Sequence, residues 1–207
     1  MHMPAFPARG LYAITDGPRA DLFDVCEAAM RGGAKLIQYR DKIADRERRH
    51  DEAVKLAALC ARHHVPLIIN DDVDLAAEVG AAGVHLGEDD ASIASARKRL
   101  GNAAIIGVSC YDSLERARNL AAAGADYLAF GAFYPSTTKP HNRSAQANLL
   151  RDAQALGKPL VAIGGITPDN AASLIAAGAD FVAAISGVFG PSDVADAARR
   201  YASLFQK

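Results

Sequence analysis

The stretches AAGADYLAFG (residues 122–131) and AAGADFVAA (residues 176–184) repeat one local pattern, and this pattern decides the fold. In each, small helix-forming residues lead to a glycine, and an apolar run follows almost at once. Glycine adopts the left-handed backbone conformation that ends a helix without the steric cost of a side chain. RGGAKLIQ (31–38) and GAAGVHLG (80–87) place Gly33 and Gly83 in the same setting. The sequence therefore predicts repeated joints at which a helix passes directly into a strand.

Short apolar runs recur along the whole chain. They are LYAIT, KLIQY, PLIIN, GVHL, AIIGVS, DYLAF, PLVAI and DFVAAIS. Between them lie stretches with helical spacing of apolar residues, such as DLFDVCEAAM, RRHDEAVKLAALCARHH and SLERARNLAAAG. Strands that are apolar on both faces and separated by helices are typical of parallel sheets.

About eight strand–helix units predict a closed (β/α)₈ barrel, the TIM barrel of the α/β class. We expect a single domain over residues 1–207, with short loops, since ~250 residues is the usual length of this fold. A doubly wound open sheet is the alternative, although it normally has fewer strands at this chain length.

Composition restricts the classes of partner. The chain has 23 Lys and Arg against 24 Asp and Glu, a formal net charge of −1. This balance gives no electrostatic attraction for nucleic acid or an anionic membrane. No apolar run approaches the ~20 residues of a membrane span, and the first residues lack the features of a signal peptide. The three scattered cysteines predict reduced thiols in a cytoplasmic protein.

Polar residues follow the predicted strands at the end where barrel enzymes place their active sites. In QYRDK, Gln38, Arg40 and Lys42 are spaced by two, so they face one way in an extended segment while Tyr39 and Asp41 face the other. Two cations and an amide suit a diphosphate or another multiply charged anion. A solvated strand end, with Arg40 paired to a neighbouring carboxylate, is an equally good interpretation of this motif alone.

Acidic residues follow the third and fourth predicted strands. Asp71 and the pair Asp89 and Asp90 come from neighbouring strand ends, about 5 Å apart in a parallel sheet. Carboxylates in this arrangement suit Mg²⁺. The alternative is helix capping by Asp72 or Asp74 and by Asp90, which accounts for one acid of each cluster but leaves an extra one in each.

Three later segments suit phosphate. PSTTK (135–139) combines three hydroxyls with a lysine, although a plain Ser/Thr-rich turn has the same composition. AIGGIT and AISG precede the last two predicted helices, where barrels commonly bind a phosphate. Gly164 and Gly165 permit the close approach, or they serve a tight turn for backbone reasons alone.

The sequence offers no nucleophile with a partner base. Ser109 is outside any nucleophile elbow, and Cys110 has no evident base. His85 lies inside a predicted strand, and we expect no catalytic role for the histidines.

In this order and spacing, the motifs QYRDK, INDD, GVHLGEDD, GVS, YPSTTK, IGGIT and IS closely resemble the thiamine phosphate synthase family. The resemblance extends from LYAITD to AAISG. It implies a transferase that joins a hydroxymethylpyrimidine diphosphate to a thiazole phosphate, with Mg²⁺, by a dissociative substitution.

The resemblance also implies residue roles. The pyrimidine diphosphate would be held by Gln38, Tyr39, Arg40, Asp41, Lys42, Asn70, Ser109 and Lys139. Of these, Arg40, Lys42, Ser109 and Lys139 would be catalytic. The thiazole phosphate would be held by Ser136, Thr137, Thr138, Gly165, Ile185 and Ser186, and Mg²⁺ by Asp71 and Asp90. The chain departs from the usual family residues at Glu88, Ala132, Ser136 and Tyr111, and Asp89 is an extra carboxylate without an assigned role.

Two other functions fit the same fold. The related thiazole tautomerase usually lacks the aspartate after the third strand and has an acid–base histidine where this chain has Tyr111. A non-catalytic thiamine-precursor binding module would be indicated by loss of Arg40, Asp71 or Lys139, and all three are present.

Overall fold

Eight parallel strands close into a barrel in the computed structural model, which describes residues 6–135 and 144–206. The strands are β1 Gly10–Ile14, β2 Ala34–Tyr39, β3 Leu67–Asn70, β4 Gly83–Leu86, β5 Ile105–Tyr111, β6 Tyr127–Phe130, β7 Leu160–Ile163 and β8 Phe181–Ala184. Each strand pairs with the next, and β8 pairs with β1. Every predicted apolar run forms a strand, so the (β/α)₈ prediction is confirmed and the open sheet is wrong.

Helices alternate with these strands. They are α1 Leu22–Arg31, α2 Arg46–Arg62, α3 Val73–Glu78, α4 Ile93–Leu100, α5 Leu114–Ala122, α6 Ala147–Ala153, α7 Ala171–Ala176, α8 Ser186–Phe189 and α9 Val194–Ala202. Five of these helices are preceded by a residue whose side-chain oxygen accepts a hydrogen bond from the backbone N–H three residues later, with N···O distances of 2.8 to 3.2 Å. These capping residues are Asp45, Asp72, Ser92, Ser113 and Asp193. Such caps satisfy N–H groups that the helix leaves unpaired, which explains where these helices begin.

The predicted glycine joints are present with one exception. Gly33, Gly124 and Gly178 have φ of 105°, 98° and 110°, in the left-handed region. The fourth joint was assigned to the wrong glycine: Gly80 has φ of 63°, whereas Gly83 is the first residue of β4. A Cβ on Gly83 would lie 1.8 Å from the carbonyl oxygen of Ile105, so this glycine serves the close approach of β4 and β5.

The core has two layers because alternate strand residues face opposite ways. One layer lies between the strands and the surrounding helices, and the other fills the barrel interior. At the amino ends of the strands, Phe6 packs into the interior against Tyr127 and Phe181, with ring centroids 5.6 and 5.4 Å away. The interior is therefore filled at that end, which leaves the opposite end for a cavity.

The cysteines are buried and unbonded, as the sequence indicated. Burial raises the pKa of Cys60 and Cys110 to about 12, so both are protonated thiols near neutral pH. In the part of the chain that the structure describes, no helix is both long enough and apolar enough to cross a membrane.

Candidate active site

A cavity of about 310 Å³ opens at the carboxyl ends of the strands. All eight strands or the loops that follow them contribute to its lining. The predicted site residues that line it are Gln38, Arg40, Lys42, Asn70, Asp71, Asp90, Ser109 and Ile185. The structure thus brings together residues that are far apart in the sequence: Gln38 and Ile185 are separated by 147 positions. Glu88, Asp89, Tyr111 and Ala132 also line the cavity.

The side chains of Tyr39 and Asp41 do not reach this cavity, contrary to the contact that the resemblance implies. The Tyr39 hydroxyl donates to Glu52 of α2 at 2.6 Å. Asp41 is 6% exposed and pairs with Arg48 of α2 at 2.6 Å. Strand alternation turns both side chains outward, so they attach α2 to the rim instead of contacting a ligand.

Two hydrogen bonds join the backbone of Arg40 to the side chain of Thr15. Its N–H donates to Thr15 Oγ1 at 2.8 Å, and the same hydroxyl donates to the Arg40 carbonyl oxygen at 3.0 Å. Among the residues that the structure describes, Arg40 forms no ion pair, so the alternative of a neighbouring carboxylate finds no support there. Arg40 lines the cavity.

Asp71 and Asp90 both line the cavity, and each carboxyl group influences the pKa of the other. Burial raises the pKa of Asp71, but hydrogen bonds from Lys42 and Asp90 outweigh it, so this pKa lies below its ordinary value. For Asp90, burial is again the largest influence, and the Asp71 carboxylate beside it keeps the pKa above its ordinary value. Two neighbouring carboxyl groups repel each other when both are ionised, so a cation placed between them would be stabilised.

The backbone at Asp71 is unusual. Its φ of 65° lies in the left-handed region, and its N–H donates to the His85 carbonyl oxygen at 2.8 Å. Aspartate and asparagine tolerate this conformation better than most residues. Asp90 is fixed differently, since its Oδ2 accepts the Gly87 N–H at 2.5 Å. Both carboxylates are thereby oriented before any ligand binds.

Helix capping explains only part of the acidic clusters. Asp72 caps α3 by accepting from Leu75 N at 2.9 Å, as that alternative predicted. Asp74 instead pairs with Arg99 at 2.9 Å. The capping prediction for Asp90 was wrong, because Ser92 caps α4. Asp71 and Asp90 therefore remain available to the cavity.

The donor set of this pair suits a hard divalent cation. No group of three or more His, Cys, Asp or Glu side chains placed to hold a metal occurs in residues 6–135 and 144–206. Mg²⁺ binds through one or two carboxylates and completes its coordination with waters and substrate phosphates. Two carboxylates beside the cationic side chains of Arg40 and Lys42 meet this requirement.

The predicted thiazole phosphate residues are only partly described. Ser136, Thr137, Thr138 and Lys139 lie outside the described residues. Ser186 is the exposed first residue of α8, and Ile185 before it lines the cavity. Gly165 has φ of 61°, and its carbonyl oxygen accepts from Asn170 Nδ2 at 3.1 Å.

Gly165 is required for a close approach as well as for its φ. A Cβ there would lie 2.3 Å from the carbonyl oxygen of Pro135, whereas Gly157, with φ of 63°, has nothing within 4 Å of its would-be Cβ. We expect Gly157→Ala to cost about 1 kcal/mol from backbone strain. Gly165→Ala should cost about 1–3 kcal/mol more, because the clash is added. Chemical denaturation of both variants measures the difference, and equal losses would contradict the close-approach explanation.

Sequence reasoning did not identify two polar neighbours of the candidate site residues inside the barrel. It gave the histidines no role, yet His85 Nε2 lies 2.9 Å from Ser109 Oγ. It also overlooked Tyr12, whose hydroxyl accepts from Gln38 Nε2 at 2.8 Å. Strand alternation, which orients Gln38 inward, also places Tyr12 and His85 in the barrel interior. A polar residue at an inward-facing strand position was therefore the sequence signal that could have identified them.

The fold and cavity define a barrel whose rim carries two cations beside two carboxylates, the groups that phosphorylated small molecules and a divalent cation would require. A family model described as thiamine monophosphate synthase matches residues 11–188. The chain belongs to this family. Membership confirms the resemblance and the assignment as a transferase.

Individual relatives agree. A thiamine-phosphate synthase of Nitrosococcus oceani is 55% identical over 201 residues, which cover 95% of this chain and 93% of the relative. One from Chromobacterium violaceum is 54% identical over 198 residues, covering 95% and 96%. A solved structure of thiamine phosphate pyrophosphorylase from Pyrococcus furiosus superposes with a TM-score of 0.85 at 34% identity, covering 95% of each chain.

Proposed function

We propose that the protein joins 4-amino-2-methyl-5-hydroxymethylpyrimidine diphosphate to 4-methyl-5-(2-hydroxyethyl)thiazole phosphate, releasing thiamine phosphate and diphosphate. The observation that carries this proposal is the convergence of the Arg40 and Lys42 cations with the Asp71 and Asp90 carboxylates in one cavity. The names of the relatives support the same reaction.

The pyrimidine diphosphate is assigned to the β2, β3 and β5 side of the cavity. Gln38 and Ser109 suit the polar edge of the ring, while Arg40 and Lys42 at the rim suit the diphosphate. Asn70, the last residue of β3, supplies a further amide. Lys139 remains an expectation from the family resemblance.

The thiazole phosphate is assigned to the opposite side. Ile185 supports this position because it lines the cavity beyond β8. Gly165 supports it because its backbone approaches Pro135, directly before the PSTTK hydroxyls. Ser186 and the hydroxyls of Ser136, Thr137 and Thr138 complete the proposed phosphate site.

The reaction is a dissociative substitution. The bond between the pyrimidine methylene carbon and the diphosphate oxygen breaks, and its electron pair leaves with diphosphate. The thiazole nitrogen then donates its lone pair to the methylene cation, so a C–N bond forms and no general base is needed. Arg40 and Lys42 stabilise the growing charge on the leaving group more than that of the bound substrate, which accelerates this step.

Asp71 and Asp90 are assigned to Mg²⁺. When bound, the ion would supply positive charge that stabilises the departing diphosphate. Lys42 forms an ion pair with Asp71 in the structure. The ammonium group of Lys42 would therefore lie beside the same diphosphate as the Mg²⁺ ion. Asp89 also lines the cavity and receives no role.

We place the reaction in the cytoplasm, because the three buried cysteines are free thiols, as a reducing compartment would keep them. The proposed partners are the two small-molecule substrates.

A direct assay tests the reaction. Purified protein is mixed with both substrates and Mg²⁺, and thiamine phosphate is detected by fluorescence after oxidation. The proposal predicts a fluorescent product that requires both substrates. A tautomerase or a binding module would give none.

A further inference from the structure

Five polar side chains inside the barrel form a continuous series of hydrogen bonds, named here the interior chain: Gln38, Tyr12, Tyr127, His85 and Ser109. Gln38 Nε2 donates to the Tyr12 hydroxyl at 2.8 Å, and the Tyr12 and Tyr127 hydroxyls are 2.9 Å apart. The Tyr127 hydroxyl lies 2.9 Å from His85 Nδ1. His85 Nε2 lies 2.9 Å from Ser109 Oγ. Both ends of the interior chain face the position proposed for the pyrimidine ring.

Gly107 makes the connection between Tyr127 and His85 possible. In the sheet, Gly107 of β5 lies between His85 of β4 and Tyr127 of β6. A Cβ at this position would be 1.8 Å from Tyr127 Cζ. Gly107 is outside the left-handed region, so the missing side chain serves space and not backbone freedom. The Tyr127 hydroxyl extends across Gly107 and contacts His85 on β4.

Three members of the interior chain are shielded from water. Tyr12, Tyr127 and Gln38 are 1%, 0% and 2% exposed. Burial is the main cause that raises the pKa of Tyr12 and of Tyr127 above its ordinary value, so both phenols keep their protons. Each phenol therefore has one proton to donate, and water cannot replace a partner that is lost.

With His85 neutral, pairing every phenol proton makes the hydrogen bonds run in one direction. With Gln38 donating to Tyr12, the phenol protons point from Tyr12 to Tyr127 and from Tyr127 to His85 Nδ1. A neutral imidazole has a single N–H, which is then on Nε2 and donates to Ser109. The Ser109 proton is left for the cavity, and Gln38 offers its carbonyl oxygen.

Rotation of the Gln38 amide reverses every bond. Gln38 then offers N–H to the cavity and Ser109 offers lone pairs. In either direction the two ends present opposite characters, one donor and one acceptor.

We propose that the interior chain couples Gln38 to Ser109, so that the cavity selects a heteroaromatic ring edge with one acceptor nitrogen beside one amino donor. Tyr127 is the positioning residue that carries this coupling. The identity of the ligand rests on the proposed function, whereas the coupling is a property of the protein without ligand.

Tyr127→Phe removes one oxygen atom and divides the interior chain. We expect the KM for the pyrimidine diphosphate to rise about 10-fold, because Gln38 and Ser109 lose their fixed relation. The KM for the thiazole phosphate should not change. In a Ser109→Ala background, Tyr127→Phe should add little, since one end of the coupling is already absent. Additive effects of the two substitutions would overturn the proposal.

Tyr201→Phe is the matched control. The Tyr201 hydroxyl is buried and donates to the Ile166 carbonyl oxygen at 2.8 Å, outside the interior chain. Its loss should lower Tm without changing the KM for the pyrimidine diphosphate. If Tyr127→Phe likewise lowers only Tm, Tyr127 is structural and the proposal fails.

NMR of ¹⁵N-labelled histidine tests the coupling without turnover. The ligand-free protein should show His85 as a neutral ring, assigned by its loss in His85→Gln, and Tyr127→Phe should change the ratio of its two tautomers. An unchanged ratio in Tyr127→Phe, or a doubly protonated ring in the parent protein, would overturn the coupling. Absence of thiamine phosphate synthesis would refute the proposed function alone and leave this result intact.

Discussion

Asp71→Asn is expected to lower Mg²⁺-dependent turnover by roughly 100-fold or more at limiting Mg²⁺, because the amide loses the negative charge that recruits the cation. Asparagine also accepts the left-handed backbone at this position, where φ is 65°, so backbone strain does not confound the result. Initial rates are measured over a series of Mg²⁺ concentrations. Binding of the thiazole phosphate should be unchanged, since Asp71 lies on the opposite side of the cavity from its proposed site.

Asp72→Asn is the control for this substitution. The neighbouring Asp72 caps α3 and pairs with Arg49 at 3.2 Å. Asparagine is as good a helix cap as aspartate, so the helix should persist and turnover should stay close to that of the parent protein. Equal Mg²⁺ dependence of Asp71→Asn and the parent protein would count against a metal role for Asp71.

Arg40→Ala is expected to slow diphosphate release in a single turnover by roughly 100-fold, because one preorganised donor to the leaving group is removed. The effect should fall on this chemical step because charge on the diphosphate grows as the C–O bond breaks. Rapid-quench measurement of diphosphate formation tests this. Arg40→Lys should recover part of the rate, since it keeps the charge but not the two-pronged geometry.

Arg46→Ala controls for the loss of a cation near the rim. Arg46 is the first residue of α2, is largely exposed and pairs with Glu78 at 3.0 Å. An exposed pair of this kind contributes little, about 0–1 kcal/mol, so the single-turnover rate should not change. A rate for Arg40→Ala equal to that of Arg46→Ala would refute the assigned role.

The barrel was predictable because its signals are local. A glycine before each of three strands and an apolar run within each strand are read directly from neighbouring residues, as at Gly124 and Gly178. The error at Gly83 arose because two glycines lie within one joint. Only contact between β4 and β5 decides which of them must lack a side chain.

The orientation of candidate site residues along one strand was predictable from strand alternation. Contacts between side chains on opposite sides of the barrel were less predictable. Spacing by two placed Gln38, Arg40 and Lys42 on one face and turned Asp41 away, although the resemblance implied a ligand contact for Asp41. The Tyr12 and Tyr127 contact joins β1 to β6, which are not neighbours in the sheet. No local pattern encodes a pairing of this kind, so it required the structure.

The central claim is that Asp71 and Asp90 bring a divalent cation to the same diphosphate that Arg40 and Lys42 bind. Calorimetric titration with inorganic diphosphate, with and without Mg²⁺, tests it most directly in the parent protein and in Asp71→Asn. The parent should bind diphosphate about 10-fold or more tightly with Mg²⁺ than without it, because two ligands that favour each other's binding do so reciprocally. The variant should lose this gain because it lacks the carboxylate that binds the cation. An equal effect of Mg²⁺ on both proteins, or none on the parent, would contradict the account.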